Sequence, residues 1–251
     1  TLNNVEYAKS KKTFGSADVK DNGGLLVGFD VAEDNLQKVK VKYVDKNGEL
    51  NILSPKIEDM GAISHCTCVI PKESKGKIRI EAEDVVNHKS NYETEDDITI
   101  DLTPIEITSV KLNENSIWKN TETLYLNDEE CEFLLSADGT DVAEITLKEK
   151  NSGKSFSFNK YQTEYRHLLS LDEGVQDFEI TTRDLAGNTK VFDASGNMFR
   201  PVVVDRTKPA LAAKRDGYTI HFTFTEKYPD ADDLGDATFL CRNLHNDITD
   251  I

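Results

Sequence analysis

The chain has 251 residues, a length that suits one large domain or two to three small ones. Hydrophobic residues make up 37% and charged residues 30%, which is too apolar for a disordered chain. Its 30 Lys and Arg face 46 Asp and Glu, so the net charge is −16. Nucleic-acid phosphates and anionic lipids would repel this surface, so we expect no nucleic-acid partner, and the charge disfavours binding to anionic membrane surfaces. No apolar stretch approaches the ~20 residues that cross a bilayer, so we expect no membrane insertion within this chain.

Alternation of apolar and polar residues predicts a succession of strands with one face in a core and one in water. Asn47-Gly48 and Ser152-Gly153 follow two of these strands, and such pairs favour tight hairpin turns. No window carries a long apolar stripe of helical period. The pattern therefore predicts an all-β fold of antiparallel β-sandwiches. In chain order, the alternating segments are 39–43, 78–82, 143–147, 178–182 and 220–224.

The chain is also similar to itself at a spacing of about 100 residues. An alternating strand runs into an Asp and then an Asn in both 78–87 and 178–188. Further on, a strand ends in Asp, Thr and Pro in both 98–104 and 202–209. This repetition predicts two sandwiches in tandem and the start of a third. The predicted domains are 1–103, 104–208 and a partial module, 209–251.

These landmarks resemble the tandem bacterial immunoglobulin-like (Ig-like) repeats of secreted and cell-surface proteins. A repeat of that family commonly carries a D-x-A-G-N turn and a D-x-T-x-P junction, and the second copy here matches both. In the first copy each motif is one residue shorter. The resemblance implies tandem Ig-like antiparallel β-sandwiches. The residues that carry it are Asp84, Asn87 and Pro104 in the first copy and Asp184, Gly187, Asn188 and Pro209 in the second.

The chemistry of these motif residues predicts a structural role. Asp and Asn side chains bond neighbouring backbone N–H groups and tolerate left-handed backbone geometry. Gly187 supplies a positive φ at a tight turn. Pro104 and Pro209 cannot donate to a strand ladder, so each ends a strand and stiffens the connection between modules.

Calcium is the candidate ligand that the acidic residues suggest, and some families of this type bind it at module junctions. On that resemblance Asp101 and Asp205 are the candidate calcium ligands, while Asp138 and Asp141 add to the acidic cluster. The run 230–236 begins like an EF-hand loop but has Leu234 at a ligand position. Turn-capping aspartates on a solvated surface are the favoured interpretation, so we expect no cofactor.

Catalysis has no support in the sequence, and we expect no enzyme activity. The histidines lie outside H-E-x-x-H, and G-x-S-x-G is missing from the chain. The cysteines are expected to be free and buried rather than bridged or zinc-bound, because Cys66 and Cys68 share a strand face from which His65 points away. The cysteines are Cys66, Cys68, Cys131 and Cys241.

Taken together, these features predict a non-catalytic stalk, spacer or adhesive segment of a secreted or cell-surface bacterial protein. The alternative is an accessory module that binds a glycan or a host protein for a larger extracellular protein. A glycan platform needs exposed aromatic rings, and Tyr161 and Tyr165 could share a sheet face, whereas Trp118 is expected in a core. The ligand is not identified by the sequence, and the chain is expected to be a monomer at the cell surface or outside the cell.

Overall fold

A computed structural model describes residues 1–7, 11–19, 23–71, 73–196, 198–228, 240–242 and 248–250. Strands dominate these residues, and their one helical turn is a short 3-10 segment at Ala194–Gly196. The described strands form mostly antiparallel sheets around two separate hydrophobic cores, which confirms the all-β fold of tandem β-sandwiches that the alternation and the repeat predict. No helix in the described part of the chain has the length and apolarity to cross a bilayer.

The first module contains two four-stranded sheets, ordered β1-β3-β7-β6 and β10-β9-β4-β5, and a three-stranded sheet, β2-β11-β8. Its strands are β1 (Leu2–Glu6), β2 (Thr13–Phe14), β3 (Gly24–Ala32), β4 (Leu36–Val44), β5 (Leu50–Leu53), β6 (Lys56–Asp59), β7 (Ile63–Pro71), β8 (Ser74–Gly76), β9 (Arg79–Asp84), β10 (Lys89–Glu93) and β11 (Ile98–Ile100).

The second module repeats this plan with sheets β13-β12-β15-β18, β17-β16-β20-β21 and β14-β22-β19. Its strands are β12 (Ile107–Leu112), β13 (Asn115–Ser116), β14 (Leu124–Leu126), β15 (Glu130–Ala137), β16 (Val142–Glu149), β17 (Ser155–Phe158), β18 (Tyr165–Ser170), β19 (Gly174–Gln176), β20 (Phe178–Asp184), β21 (Thr189–Phe192) and β22 (Val202–Val204).

Strand register matches between the modules in detail. Leu36 pairs with Asp84 in the first module and Val142 with Asp184 in the second, and both ladders shift register directly after this pair. Each module also holds one parallel pair, β2 with β11 and β14 with β22. The alternation did not predict these parallel pairs. They arise because the first strand of each module, β1 or β12, pairs with one sheet. The chain then crosses to another sheet, where β2 or β14 runs parallel to the last strand of the module.

Each module has a hydrophobic core of its own, and the two cores fall on either side of Pro104. Phe29 and Ile80 are fully buried in the first core, and Phe133 and Ile180 in the second. Fully burying one such side chain contributes about 1.5–3 kcal/mol. The predicted bounds 1–103 and 104–208 remain predictions.

After the second module the chain forms a hairpin of β23 (Ala210–Asp216) and β24 (Thr219–Thr225). A short pair of β25 (Leu240–Arg242) and β26 (Ile248–Asp250) follows. The side chains of the hairpin are exposed. Of the predicted partial third module, residues 229–239, 243–247 and 251 lie outside the described residues, and these include the acidic run 230–236.

Candidate functional site

The turn between β20 and β21 is organised by a buried aspartate. Asp184 is 1% exposed. Its Oδ1 accepts a hydrogen bond of 2.8 Å from the backbone N of Asn188, and its Oδ2 accepts one of 2.8 Å from Asn188 Nδ2. Gly187 has a φ of 92°, the left-handed geometry for which glycine has no steric cost. Asp184 and Asn188 thus close the turn within the second module.

The corresponding turn of the first module has the same length, although its sequence suggested that it was one residue shorter. The backbone N of His88 donates to Asp84 Oδ1 at 2.8 Å, and His88 Nδ1 lies 3.0 Å from Asp84 Oδ2. His88 therefore takes the position of Asn188. Asn87, with a φ of 68°, takes the position of Gly187, because asparagine tolerates the left-handed region better than most residues do.

Asn188 also joins the two modules. Its Oδ1 accepts a hydrogen bond of 2.7 Å from the backbone N of Ser16, and its Nδ2 donates to the backbone O of Asp101 at 2.8 Å. Asn188 is 2% exposed, so these bonds are shielded from water. The turn of the second module is therefore bonded directly to the end of the first.

Close backbone approach at the junction depends on a glycine. A Cβ added to Gly15 would lie 2.4 Å from the carbonyl O of Ala186, a separation that real Cβ atoms essentially never show. Ala186 itself is 5% exposed. Nearby, the hydroxyl of the fully buried Thr182 donates to the carbonyl O of Ile105 at 3.0 Å. These contacts hold the connecting segment against the second module.

Three carboxylates converge beside this contact. One oxygen each from Asp101, Asp141 and Asp184 lies within 4.8 Å of the others. Asp101 comes from the end of the first module, Asp141 from the loop between β15 and β16, and Asp184 from the end of β20. Oxygen ligands from several loops are what Ca²⁺ prefers, so this cluster is a candidate cation site.

The three carboxylates of this cluster would repel one another if all of them were charged and no cation lay between them. Burial raises the pKa of Asp101 above its usual value, and the neighbouring carboxyl groups of Asp141 and Glu73 raise it further. A backbone hydrogen bond from Thr103 opposes this rise. A cavity of about 260 Å³, lined by Asp101, Asp138 and Asp141 among others, opens beside the cluster. A bound cation would relieve the repulsion that favours the protonated form.

Asp205 lies at the corresponding end of the second module and repeats the local geometry of Asp101. The Oδ1 of Asp101 accepts from Thr103 N, and the Oδ1 of Asp205 accepts from Thr207 N, each at 3.0 Å. Pro104 and Pro209 follow these turns, after β11 and β22 have ended. Of the two calcium candidates, the structure brings Asp101 into a cluster of three carboxylates.

Sequence reasoning missed several residues of the junction. It counted Asp141 only as part of an acidic cluster, and it assigned no role to Gly15 or His88. Asp141 lies 40 positions from Asp101, and no local pattern links the two. A signal for His88 was available, because aligning Asp84 with Asp184 without a gap places His88 on Asn188.

The other sequence candidates are placed as follows. Cys66, Cys68 and Cys131 are buried free thiols, as predicted, while the side chain of Cys241 lies outside the described residues. Burial raises the pKa of Cys66 to about 11 and that of Cys68 to about 12, so these thiols are poor nucleophiles and metal ligands.

The suggested aromatic platform does not form. Tyr165 is fully buried in the second core, whereas Tyr161 is 43% exposed in the loop before it. Their spacing of four residues spans the start of β18 rather than one sheet face. Trp118 packs edge-on against Phe192 and Phe199, with ring centroids 5.7 and 5.5 Å away, as expected for a core residue.

No family model matches this chain, and no curated protein does. Among solved structures, the fibronectin(III)-like modules of Clostridium thermocellum CbhA are 11% identical, with a TM-score of 0.32, over 81% of this chain and 94% of that one. A Ca²⁺-stabilized adhesin of an Antarctic bacterium is 12% identical, with a TM-score of 0.34, over 100% of this chain and 72% of that one. A tetra-tandem repeat from the extending region of a large adhesion protein is 15% identical, with a TM-score of 0.33, over 86% and 52%.

Proposed function

We propose that this chain is a non-catalytic stalk, spacer or adhesive segment of a secreted or cell-surface bacterial protein. The observation that carries the proposal is the junction, where Asn188 bonds both Ser16 and Asp101 across the two modules. Joined modules move relative to one another by default, and direct hydrogen bonds restrict that motion. A restricted junction gives the segment a defined reach, and the net charge of −16 keeps it soluble and monomeric.

We further propose that Ca²⁺ binds at Asp101, Asp141 and Asp184 and stiffens the junction. The support is the convergence of one oxygen from each carboxylate within 4.8 Å, together with the pKa of Asp101 raised by burial and by its acidic neighbours. Since the three ligands come from both sides of the junction, a cation held by all three would tie the modules together.

Small-angle X-ray scattering and residual dipolar couplings on the full chain test the rigid junction. A stiff junction gives one alignment tensor for both modules and a single maximum dimension. Chelator should loosen this arrangement and Ca²⁺ should restore it. Independent tensors for the two modules in the presence of Ca²⁺ would contradict the proposed spacer role. Independent tensors in chelator alone would not, because they are expected if the cation stiffens the junction.

The alternative role, an accessory module that binds a ligand, is supported by one feature of the second module. This feature is a pocket whose wall includes the buried carboxylate of Glu149. A glycan array and a host-protein pull-down with the full chain test that role. Binding that survives substitution of the junction residues would place the ligand away from the junction.

A further inference from the structure

A core position of the repeat differs sharply between the modules. Val41 pairs with Ile80 in the first module, and Leu147 pairs with Ile180 in the second. Tyr43 and Glu149 follow Val41 and Leu147 by two residues and occupy equivalent positions in the two modules. Tyr43 is 9% exposed and belongs to the first core, whereas Glu149 is 4% exposed. The second module thus buries a carboxylate where the first buries an aromatic ring.

Only one oxygen of this carboxylate is paired. Oε2 of Glu149 accepts a hydrogen bond of 2.6 Å from the hydroxyl of Ser152. Oε1 is buried and has no hydrogen-bond partner among the described residues. Burying an acceptor without a partner is costly, and more so for a charged group. A buried acceptor without a partner in a native structure calls for an explanation, and a water or a ligand that donates to it is one.

Glu149 lies in the wall of a cavity of about 250 Å³. The cavity opens at the edge of the sandwich, between β17 and β18. Leu147 and Phe178 form its buried apolar side, and Phe156 stacks on His167 at its mouth, with ring centroids 3.6 Å apart and 14° between the planes. The cavity therefore combines an apolar wall with one carboxylate.

A lysine lies at the rim of the same cavity but is bonded elsewhere. Lys154 Nζ donates to the carbonyl O of Ser170 at 3.1 Å. Its ammonium group is therefore held by the opposite strand, and the unpaired oxygen of Glu149 is left for another donor.

We propose that this pocket binds a primary ammonium group carried on an apolar stem. The ammonium donates to Oε1 of Glu149, and the stem packs on Leu147, Phe156 and Phe178. An anion would meet the carboxylate, and a neutral apolar molecule would leave Oε1 unpaired. A metal ion is disfavoured because one carboxylate in an apolar wall does not supply the six to eight oxygens of a Ca²⁺ site. A free small amine and a lysine side chain of a protein share this chemistry.

The test is a titration of the full chain, followed by the amide NMR signals of the second module. The probes are n-butylammonium chloride, Nα-acetyl-lysine N-methylamide and n-butanol. We expect saturable shifts around Glu149, Phe156 and His167 with both ammonium probes and none with n-butanol. Tighter binding of the lysine derivative points to a protein side chain as the natural ligand, and tighter binding of butylammonium points to a free amine.

Two variants make the test specific. Glu149→Gln keeps an oxygen for Ser152 but puts an amide N–H₂, which cannot accept a hydrogen bond, in place of Oε1, and we expect it to weaken ammonium binding by about tenfold or more. Glu164→Gln removes an exposed carboxylate of the same module and should bind as the parent does. Phe156→Ala, at a half-exposed side chain, should weaken binding through the stem alone and reports on the site if Glu149→Gln fails to fold.

Several results would overturn the proposal. It is wrong if the parent chain shows no saturable shifts, or if Glu149→Gln binds ammonium as tightly as the parent. It is also wrong if only Lys154→Met binds the probes, because the pocket would then be closed by its own lysine.

Discussion

Gly15 offers the cleanest way to perturb the junction between the modules. Asn188 is unsuitable, since it also closes the turn of its own module through Asp184. Gly15→Ala adds a single methyl group whose carbon would lie 2.4 Å from the carbonyl O of Ala186 and 3.0 Å from Asn188 Oδ1. The substitution therefore acts on the contact between modules and leaves both cores untouched.

The expected magnitude follows from these distances. Ordinary van der Waals contact begins at about 3.4 Å, so the two backbones must separate by about 1 Å. The bond from Ser16 N to Asn188 Oδ1, 2.7 Å long, would then exceed the usual limit for a hydrogen bond. The bond from Asn188 to Asp101 O is strained with it. Two bonds of net worth about 0.5–1.5 kcal/mol each give a loss of about 1–3 kcal/mol.

Residual dipolar couplings measured on the full chain are the most direct assay of this prediction. In the presence of Ca²⁺ the parent should align as one body, and Gly15→Ala should give separate alignment tensors for the modules while each module keeps its own fold. Ser16→Ala is the matched control, because it retains the backbone N–H that Asn188 accepts. If Gly15→Ala aligns as one body and unfolds at the same denaturant concentration as the parent, the contact does not hold the modules together.

Further outcomes are expected from residues at and near the junction. Because the pKa of Asp101 is raised on folding, its contribution favours the folded state at low pH and is lost as pH rises through the raised value; Asp101→Asn should flatten this decline in denaturant titrations across pH. In chelator at neutral pH the same variant should be more stable than the parent. Added Ca²⁺ should raise the melting temperature of the parent but not of Asp101→Asn, and equal shifts would refute the site. Gly187→Ala should lose about 1–2 kcal/mol of unfolding free energy through its positive φ alone, whereas Gly187→Asn should be tolerated, as Asn87 is. Thr182→Val should cost about 1–3 kcal/mol by leaving the buried carbonyl of Ile105 unpaired, measured by urea unfolding.

The strands and hairpins were predictable because their signals are local. Period-two alternation marks one buried and one exposed face within a single segment, and the tight turns need glycine at particular positions. Gly48 and Gly153 have φ values of 81° and 72°, as the hairpin signals require. The repeat then predicted two sandwiches in tandem, because two segments with the same sequence pattern are expected to fold alike.

The junction was only partly predictable, because its chemistry depends on residues far apart in the chain. Asn188 meets Ser16 across 172 positions, and no period or motif encodes that contact. The polar pocket was equally hidden. Period two places Glu149 on the same face as Ile145 and Leu147, but a charged residue at the end of a strand is expected in solvent, and only the structure shows that its side chain is buried.

The comparison of the two turns shows why a repeated motif does not by itself predict a site. Ala186 is 5% exposed because Gly15 packs on it, whereas Val86, at the same position of the first module, is 63% exposed. Within the described residues, the first turn meets no neighbouring module, although Asp84 organises it just as Asp184 organises the second. The motif thus specifies the turn, and the segment packed on that turn decides whether it becomes part of a junction. Substituting the shared aspartate should therefore destabilise either module, while only contacts such as that of Gly15 report on how the modules are joined.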